Sequence, residues 1–475
     1  MADPLSIALV LPHAWPARDD VGWHVEALAH ALARRGHAVT LLAATADKDL
    51  LVAGRDAFRA LAGGDVSALR ARPGEMRVVA IGRSLPAGGG RRVAGPLDMA
   101  TSLENALTLV PFDVVHLHEP LAPSPGLSAL RHARGVTAAT FHGHDQLAGV
   151  AFLQPLVDRA LARVDVCTAT TEVARRALGD LLPRDYMLVP GGVDPAVFAP
   201  GAGEPAGPPG LVVVARERDR AGLRFAMRVL RLSDLPAVGR VTVIGPPDAP
   251  WRTRAAVPKA LRPFVTVVPD GGPSTRAEAF ARARVAVVPT PGDVGSPAMP
   301  EAMACGLAVL APRCEELDRL LAHGREGLAL PPFAAEAWAA AVDEVAADPG
   351  RRDALGAAAA TRAHARSWDT VAAELEALYR VAAARRAAGG AEHRDAAPGR
   401  LLVDLRVRPG PGLDAAAIIT ACRDRGLGAV GVAAPGGVGP ALAVAAAAPA
   451  DLRVIVGQEI ATEDGVIVGL HLVRD

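Results

Sequence analysis

The sequence predicts an α/β protein: two doubly wound parallel-sheet domains in tandem, followed by a small C-terminal α/β lobe. Three observations predict it. Short β-branched or apolar runs alternate with amphipathic helical stripes over residues 1–198, the pattern of βαβ units whose sheet is covered on both faces. The alternation restarts at residue 211, after a linker at 199–210, Ala-Pro-Gly-Ala-Gly-Glu-Pro-Ala-Gly-Pro-Pro-Gly, that is too poor in core residues to pack. A second loose segment, 387–400, sets off residues 401–475, a piece small for an independent domain.

The first strand is expected at Ile7–Leu11, followed by a helix near Val21 to Arg35 and a strand at Ala38–Leu42. The helix carries Val21, Val25, Leu28 and Leu32 on one stripe, a cationic end at Arg34-Arg35 and a Gly36 stop, as a helix docked on a sheet requires. Further strands are expected at Arg77–Ile81, Asp113–His116, Thr137–Phe141, Val164–Ala169 and Tyr186–Val189. In the second domain, 211–386, they fall near Leu211–Val214, Arg240–Ile244, Val265–Val268, Val285–Val288 and Ala308–Ala311, and a long helical stretch runs from Ala334 to Arg386. Two such domains about a hinge leave a cleft at the carboxyl ends of their strands, where parallel sheets bind ligands.

Composition excludes several function classes. The 51 Lys and Arg balance 51 Asp and Glu, so no net field draws the chain to nucleic acid or to an anionic membrane. Lysine occurs only at Lys48 and Lys259, and the surplus of Arg, Ala, Gly and Pro reads as coding bias. Cys167, Cys305, Cys314 and Cys422 lack metal-ligand spacing and the density of a disulfide scaffold, which fits a reducing cytoplasm, and no metal site is expected. The N-terminus has no signal-peptide pattern, and no apolar run reaches about 18 residues. The chain is expected to be soluble, at most peripheral to a membrane.

The richest stretch runs from Pro291 to Gly306, a loop after the apolar run at Val285–Val288 that leads into a short helix. It places Asp293 and Glu301 around a helix start. A helix N-terminus offers free amides to a phosphate, and a carboxylate one turn on can accept both hydroxyls of a ribose. This is the chemistry of nucleotide-sugar binding; the blander alternative is an ordinary capped helix.

Asp293 and Glu301 resemble the E-x7-E signature of the family 4 retaining glycosyltransferases. The likeness continues in Ala8–Pro12, in Asp113-Val114-Val115-His116-Leu117-His118-Glu119-Pro120, in Ala139-Thr140-Phe141-His142-Gly143 and in Val189-Pro190-Gly191-Gly192-Val193-Asp194 with Phe198. Glu301–Gly306 and Ser367-Trp368-Asp369 with Tyr379 extend it, so it spans Leu5 to Arg386 and is nearest the bacterial phosphatidylinositol mannosyltransferase group. The resemblance implies a GT-B fold of two Rossmann-like domains, the first on the acceptor side and the second binding a nucleoside-diphosphate sugar. It implies transfer of a hexosyl group, mannosyl by the nearest group, to a hydroxyl of a lipid or small-molecule acceptor. Retention is implied, with no cofactor or obligatory metal. Carried over residue by residue, His142 lines the sugar and acceptor site, Asp293 contacts the donor sugar, Arg216 closes on the donor phosphates and Glu301 holds the ribose. Glu301→Ala is then expected to abolish nucleotide binding with little loss of stability.

Three departures from the family pattern stand out. Asp19-Asp20 replaces the glycine pair that lets backbone approach the diphosphate, Ala221 replaces a lysine ahead of Gly222, and Asp293 is one methylene shorter than glutamate. An aspartate at a helix start is a strong cap whose carboxylate occupies an anion site. A second reading therefore stands beside the enzyme, a catalytically silent relative that binds a nucleotide or a partner protein as scaffold or regulator. Residues 401–475 resemble the opening of a PHP-type phosphoesterase domain in frame only. Arg406 and Arg408 follow Asp404 where that family has histidines, Ala433-Ala434-Pro435 replaces T-D-H, and arginine cannot ligate a metal. Asp464-Gly465 reads as a hairpin turn.

Overall fold

The computed structural model describes residues 3–470 apart from 17–18, 87–91, 95, 122–124, 144–156, 158–159, 202–206, 215–219, 246–249, 393–401, 408–413, 426, 436–437, 450–451 and 463–464. The chain divides into two compact units, Met1–Arg385 and Arg386–Asp475.

The first unit opens with β1 (Ser6–Trp15), α1 (Asp20–Arg34), β2 (Ala38–Thr45), α2 (Lys48–Ala62), β3 (Met76–Pro86), β4 (Arg92–Ala94), α3 (Pro96–Leu109) and β5 (Val114–His118). It continues through α4 (Pro125–His132), β6 (Val136–Phe141), β7 (Val166–Ala169), α5 (Glu172–Leu181) and β8 (Met187–Leu188). These strands form one sheet in the order β4-β3-β2-β1-β5-β6-β7-β8, parallel except for the β3–β4 pair. Its faces follow the two-residue period of a strand: Ile7, Leu9 and Leu11 enter one core and Ala8 and Val10 the other. Sequence reading did not anticipate β4, whose three residues are too few to show periodicity.

A second sheet follows. Its elements are β9 (Leu211–Val214), α6 (Arg220–Leu232), α7 (Leu235–Val238), β10 (Val241–Gly245), α8 (Pro250–Ala256), β11 (Val265–Pro269), α9 (Pro273–Ala281), β12 (Val285–Val287) and α10 (Pro291–Val294). They continue with α11 (Ala298–Ala304), β13 (Ala308–Pro312), α12 (Glu315–Leu320) and β14 (Leu328–Leu330). The order is β11-β10-β9-β12-β13-β14, all parallel. In both sheets the winding reverses beside the first strand, between β1 and β5 and between β9 and β12, which places a crevice at the carboxyl ends there.

The helical stretch expected at 334–386 is three helices, α13 (Ala335–Ala347), α14 (Pro349–His364) and α15 (Trp368–Glu392). Asp348 caps α14 with Pro349 in its first turn, a local stop-and-restart that a continuous helix would lack. The assignment of 211–386 to the second domain needs correction at its end. Trp368, Val371, Ala372, Leu375 and Tyr379 of α15 are buried with Ile7, Leu9 and Val25 in the core of the first sheet. Arg34 and Arg35 of α1 pair with Asp369 and Glu376 at 2.8 and 2.7 Å and hold the helix there. Gly192 permits the crossing, since a Cβ on it would lie 2.7 Å from the Trp368 nitrogen. Helix α15 runs through Glu392, so the first residues of the segment expected to be loose are helical.

The second unit contains β15 (Leu402–Val407), α16 (Ala415–Asp424), β16 (Leu427–Pro435), α17 (Gly439–Ala447), β17 (Arg453–Thr462) and β18 (Gly465–Leu470). Its sheet runs β15-β16-β17-β18, parallel until the last, antiparallel pair. Thr462 stands opposite Gly465, so the chain reverses at the expected hairpin, although Asp464 itself lies outside the described residues. Ile418, Cys422, Val430, Val432 and Val444 form its core. Among the described residues of the chain, no helix is long and apolar enough to cross a membrane.

Candidate active site

Strands β5 and β6 lie next to the reversal of the first sheet, and each delivers histidine at its carboxyl end. His116 and His118 occupy β5, and His142 follows β6. His116 bonds to the Tyr379 hydroxyl through Nδ1 at 2.6 Å and to Thr140 Oγ1 through Nε2 at 2.7 Å, and Thr140 Oγ1 meets Thr168 Oγ1 at 2.6 Å. A polar chain thus crosses β5, β6 and β7, with every member buried, and ends on the helix that returns from the second domain. His118 Nδ1 lies 3.0 Å from His142 Nε2. Glu119, at a positive φ of 50°, turns its carboxylate back to accept the amides of His142 and Gly143 at 2.8 and 3.1 Å. That left-handed backbone is costly for a non-glycine residue and persists where the surroundings over-determine it.

Helix α1 supplies His24, which packs edge-on against His142 with ring centroids 4.5 Å apart and against Trp368 at 4.8 Å. Burial, with repulsion from His116 and Arg366, holds the His24 imidazole down to about 3. Burial, then His142, holds His116 down to about 3 as well. His118 and His142 are lowered far below the ordinary imidazole range, again by burial first and neighbouring histidines second. The cluster is neutral at physiological pH, so His142 acts as a hydrogen-bonding group and not as a cation. One ring nitrogen from each of His24, His118 and His142 falls within 4.8 Å of the others, a grouping that the absence of Cys/His spacing in the sequence did not foretell.

The α1 N-terminus is occupied by the protein itself. Asp19 caps it, accepting the Gly22 amide through Oδ1 at 2.8 Å, and Asp19 Oδ2 lies 2.7 Å from His13 Nδ1.

In the second domain Glu301 sits in the first turn of α11 and is buried. Each of its oxygens already accepts a hydrogen bond. Arg276 of α9, 1% exposed, donates Nε to Oε2 and Nη2 to Oε1, the latter at 2.8 Å, while its Nη1 reaches Asp270 at 3.1 Å. Burial pushes the Glu301 carboxyl up, against the pull of Arg276. The Arg276 guanidinium lies 4.6 Å from the ring centre of Trp23, which belongs to α1 of the first domain. A Cβ on Gly272 would touch the same indole at 3.0 Å, so only glycine lets Trp23 seat there. The expectation that Glu301→Ala leaves stability almost intact is corrected by this pairing, since the substitution strands a buried guanidinium.

Of the other residues expected at the site, Arg216 and the side chain of Asp293 lie outside the described residues. Ala221 is exposed in the first turn of α6, and Arg224 is exposed one turn on. Sequence reading missed His24 and Arg276. His24 lies on the buried side of α1, one turn before Leu28, a polar residue on an apolar face and a faint signal, and Arg276 carries none, because nothing local marks an arginine that turns inward. The cysteines are free; burial raises Cys167 to about 11 and Cys305 to about 12, which leaves both thiols protonated and unreactive.

Comparison with known proteins bears on this geometry. Residues 21–197 match the family model for Glycosyltransferase Family 4, and residues 208–348 match that for Glycosyl transferases group 1. A phosphatidyl-myo-inositol mannosyltransferase of Mycolicibacterium smegmatis is 28% identical over 415 residues, covering 83% of this chain and 99% of that protein. A D-inositol 3-phosphate glycosyltransferase of Kineococcus radiotolerans is 32% identical over 265 residues, covering 48% of this chain and 60% of that protein. The solved sucrose-phosphate synthase from Thermosynechococcus elongatus shares the fold at a TM-score of 0.56 with 21% identity, covering 79% of this chain and 98% of that one.

Proposed function

We propose that this chain, a glycosyltransferase by its matched domains and GT-B in fold, transfers a hexosyl group, mannosyl in the first instance, from a nucleoside-diphosphate sugar to an acceptor hydroxyl with retention. The observation that carries the reading is the buried, neutral His118–His142 pair, fixed by Glu119 at the carboxyl ends of β5 and β6, in a chain similar over 99% of the length of a mannosyltransferase. With Nε2 engaged by His118, His142 presents its other nitrogen to a sugar or acceptor hydroxyl. The departing diphosphate needs fixed donors as its charge develops; Arg216 takes that role, with Asp293 at the donor sugar. Two relatives named for inositol-containing acceptors support a polyol or inositol lipid as acceptor. A cytoplasmic site with peripheral contact to a membrane suits such a lipid. The C-terminal unit has a PHP-like frame in its sequence, with Arg406 and Arg408 where that family has metal-ligating histidines.

The occupied Glu301 favours a second reading. If Arg276 does not yield to a ribose, the chain is a silent relative whose cleft is closed by its own side chains, and it acts as a scaffold.

Thermal unfolding of the purified protein against GDP, UDP, ADP and their sugar conjugates decides between them. A ligand at a hundred times its dissociation constant stabilises by about 2.7 kcal/mol. The transferase reading expects one nucleotide to raise the unfolding temperature, with radiolabelled sugar then reaching an inositol acceptor. Unmoved unfolding at millimolar concentrations of all of them would sink it and leave the scaffold.

A further inference from the structure

We propose that His24, His118 and His142 form a binding site for a divalent transition-metal ion of the class that prefers imidazole, zinc or cobalt being the natural probes. Neutral imidazole suits such ions, and nothing in sulfur or clustered carboxylate directs the choice elsewhere. One nitrogen from each ring already lies within 4.8 Å of the other two. His118 Nδ1 and His142 Nε2 are 3.0 Å apart; two nitrogens bound tetrahedrally to one zinc at about 2.0–2.1 Å stand about 3.3 Å apart, so that pair needs to move by a few tenths of an ångström, while the His24 ring, within 4.8 Å of both, has to close by up to about 1.5 Å.

Burial holds the site in place: His118 is 2% exposed. The surroundings also supply what a cation needs. Glu119 places a carboxylate beside His118, held by two amides, and Asp19 acts attractively on His142. His116, stacked on His118 at 4.4 Å and tied to Tyr379, keeps that ring in orientation from behind. His142 is the least buried of the three rings.

Binding requires no net proton release. The hydrogen shared between His118 Nδ1 and His142 Nε2 passes to the far nitrogen of the ring that carries it, both rings stay neutral, and the metal takes the two freed lone pairs.

The test uses the full chain, stripped with chelator and titrated with Co2+ while visible absorption is followed. We expect one equivalent to bind with the intense d–d bands of a four-coordinate site, and one equivalent of Zn2+ to abolish them. His24→Asn and His118→Asn should each lose the bands while keeping the metal-free circular dichroism of the parent. X-ray absorption on the zinc-loaded parent protein requires no variant and should show three imidazole nitrogens at about 2.0–2.1 Å. Absence of bands, bands unchanged in both folded variants, or a zinc shell of oxygens would overturn the proposal. None of these readouts depends on transferase activity, so a failed donor screen leaves the metal site standing or falling by itself.

Discussion

Glu301 and Arg276 show how far a single residue's role depends on its neighbour. From the sequence, Glu301 is a carboxylate at a helix start, free to accept a ribose. In the structure it is one end of a buried bidentate pair, with Asp270 as third member and Trp23 over the guanidinium. Removing one partner of such a pair leaves an uncompensated buried charge and costs about 3–5 kcal/mol, whereas replacing both by apolar groups of similar volume is often neutral. Glu301→Met and Arg276→Met should therefore each lower unfolding stability by about 3–5 kcal/mol, while the double variant recovers most of the loss. Denaturant unfolding of the three variants checks this, and additive losses in the double variant would contradict a coupled pair. Asp293, the other carboxylate of the motif, lies in α10, the short helix before α11, and there the residues say what the chemistry wants without saying what the packing permits.

At the scale of the element, α1 is the clearest case of local sequence governing both fold and site. Its apolar stripe, its acidic first turn and its terminal arginine were all legible, because each acts within one or two turns. Asp19 is legible as a cap, and the structure retains that role through Gly22 and adds a pairing with His13. Replacing Asp19 and Asp20 by glycine removes two carboxylates, each worth up to about 1 kcal/mol against an anion near a helix N-terminus. Nucleotide affinity should tighten about tenfold, equivalent to about 1.4 kcal/mol. Asp19→Asn, which preserves capping while removing charge, should show part of the gain, and titration calorimetry with the preferred nucleotide gives the answer. Unchanged affinity in both variants would mean that the carboxylates do not face the diphosphate. Strand β4 and helix α15 were less legible. The first is too short for a period, and the second is readable as a helix but silent about which domain its stripe meets.

At the scale of the whole molecule, the histidine cluster ties stability to pH. His24, His116, His118 and His142 are held neutral in the fold, the first two down to about 3, whereas an unfolded imidazole titrates near 6.5. Above about 6.5 neither state is protonated and their contribution is complete. As pH falls below that value the unfolded chain takes up protons that the folded one refuses, so stability is lost by up to about 1.4 kcal/mol per pH unit for each histidine. Urea unfolding at pH 8, 6 and 5 should therefore show a steep decline below pH 6.5, and a flat profile from pH 7 to 5 would contradict the neutral cluster. Glu376, drawn down to about 2 by Arg35, Arg380 and His37 against the opposing effect of burial, extends the loss below the ordinary glutamate range. The cluster exists only because α1, β5, β6 and the returning α15 converge, so an acid-sensitive core belongs to the tertiary arrangement and not to any one element.

The sequence by itself determined the two-sheet α/β architecture and the strands of both sheets other than β4 and β14. Periodicity, capping and turn chemistry act over a few residues, and a family likeness spread over several short motifs survives without knowledge of their contacts. Only the tertiary structure decided that α15 completes the first core, that Arg276 occupies Glu301, that Trp23 reaches across to it and that three histidines from α1, β5 and β6 meet. These are pairings between residues far apart in the chain, set by which faces the sheets leave open, and no local period in the sequence encodes them.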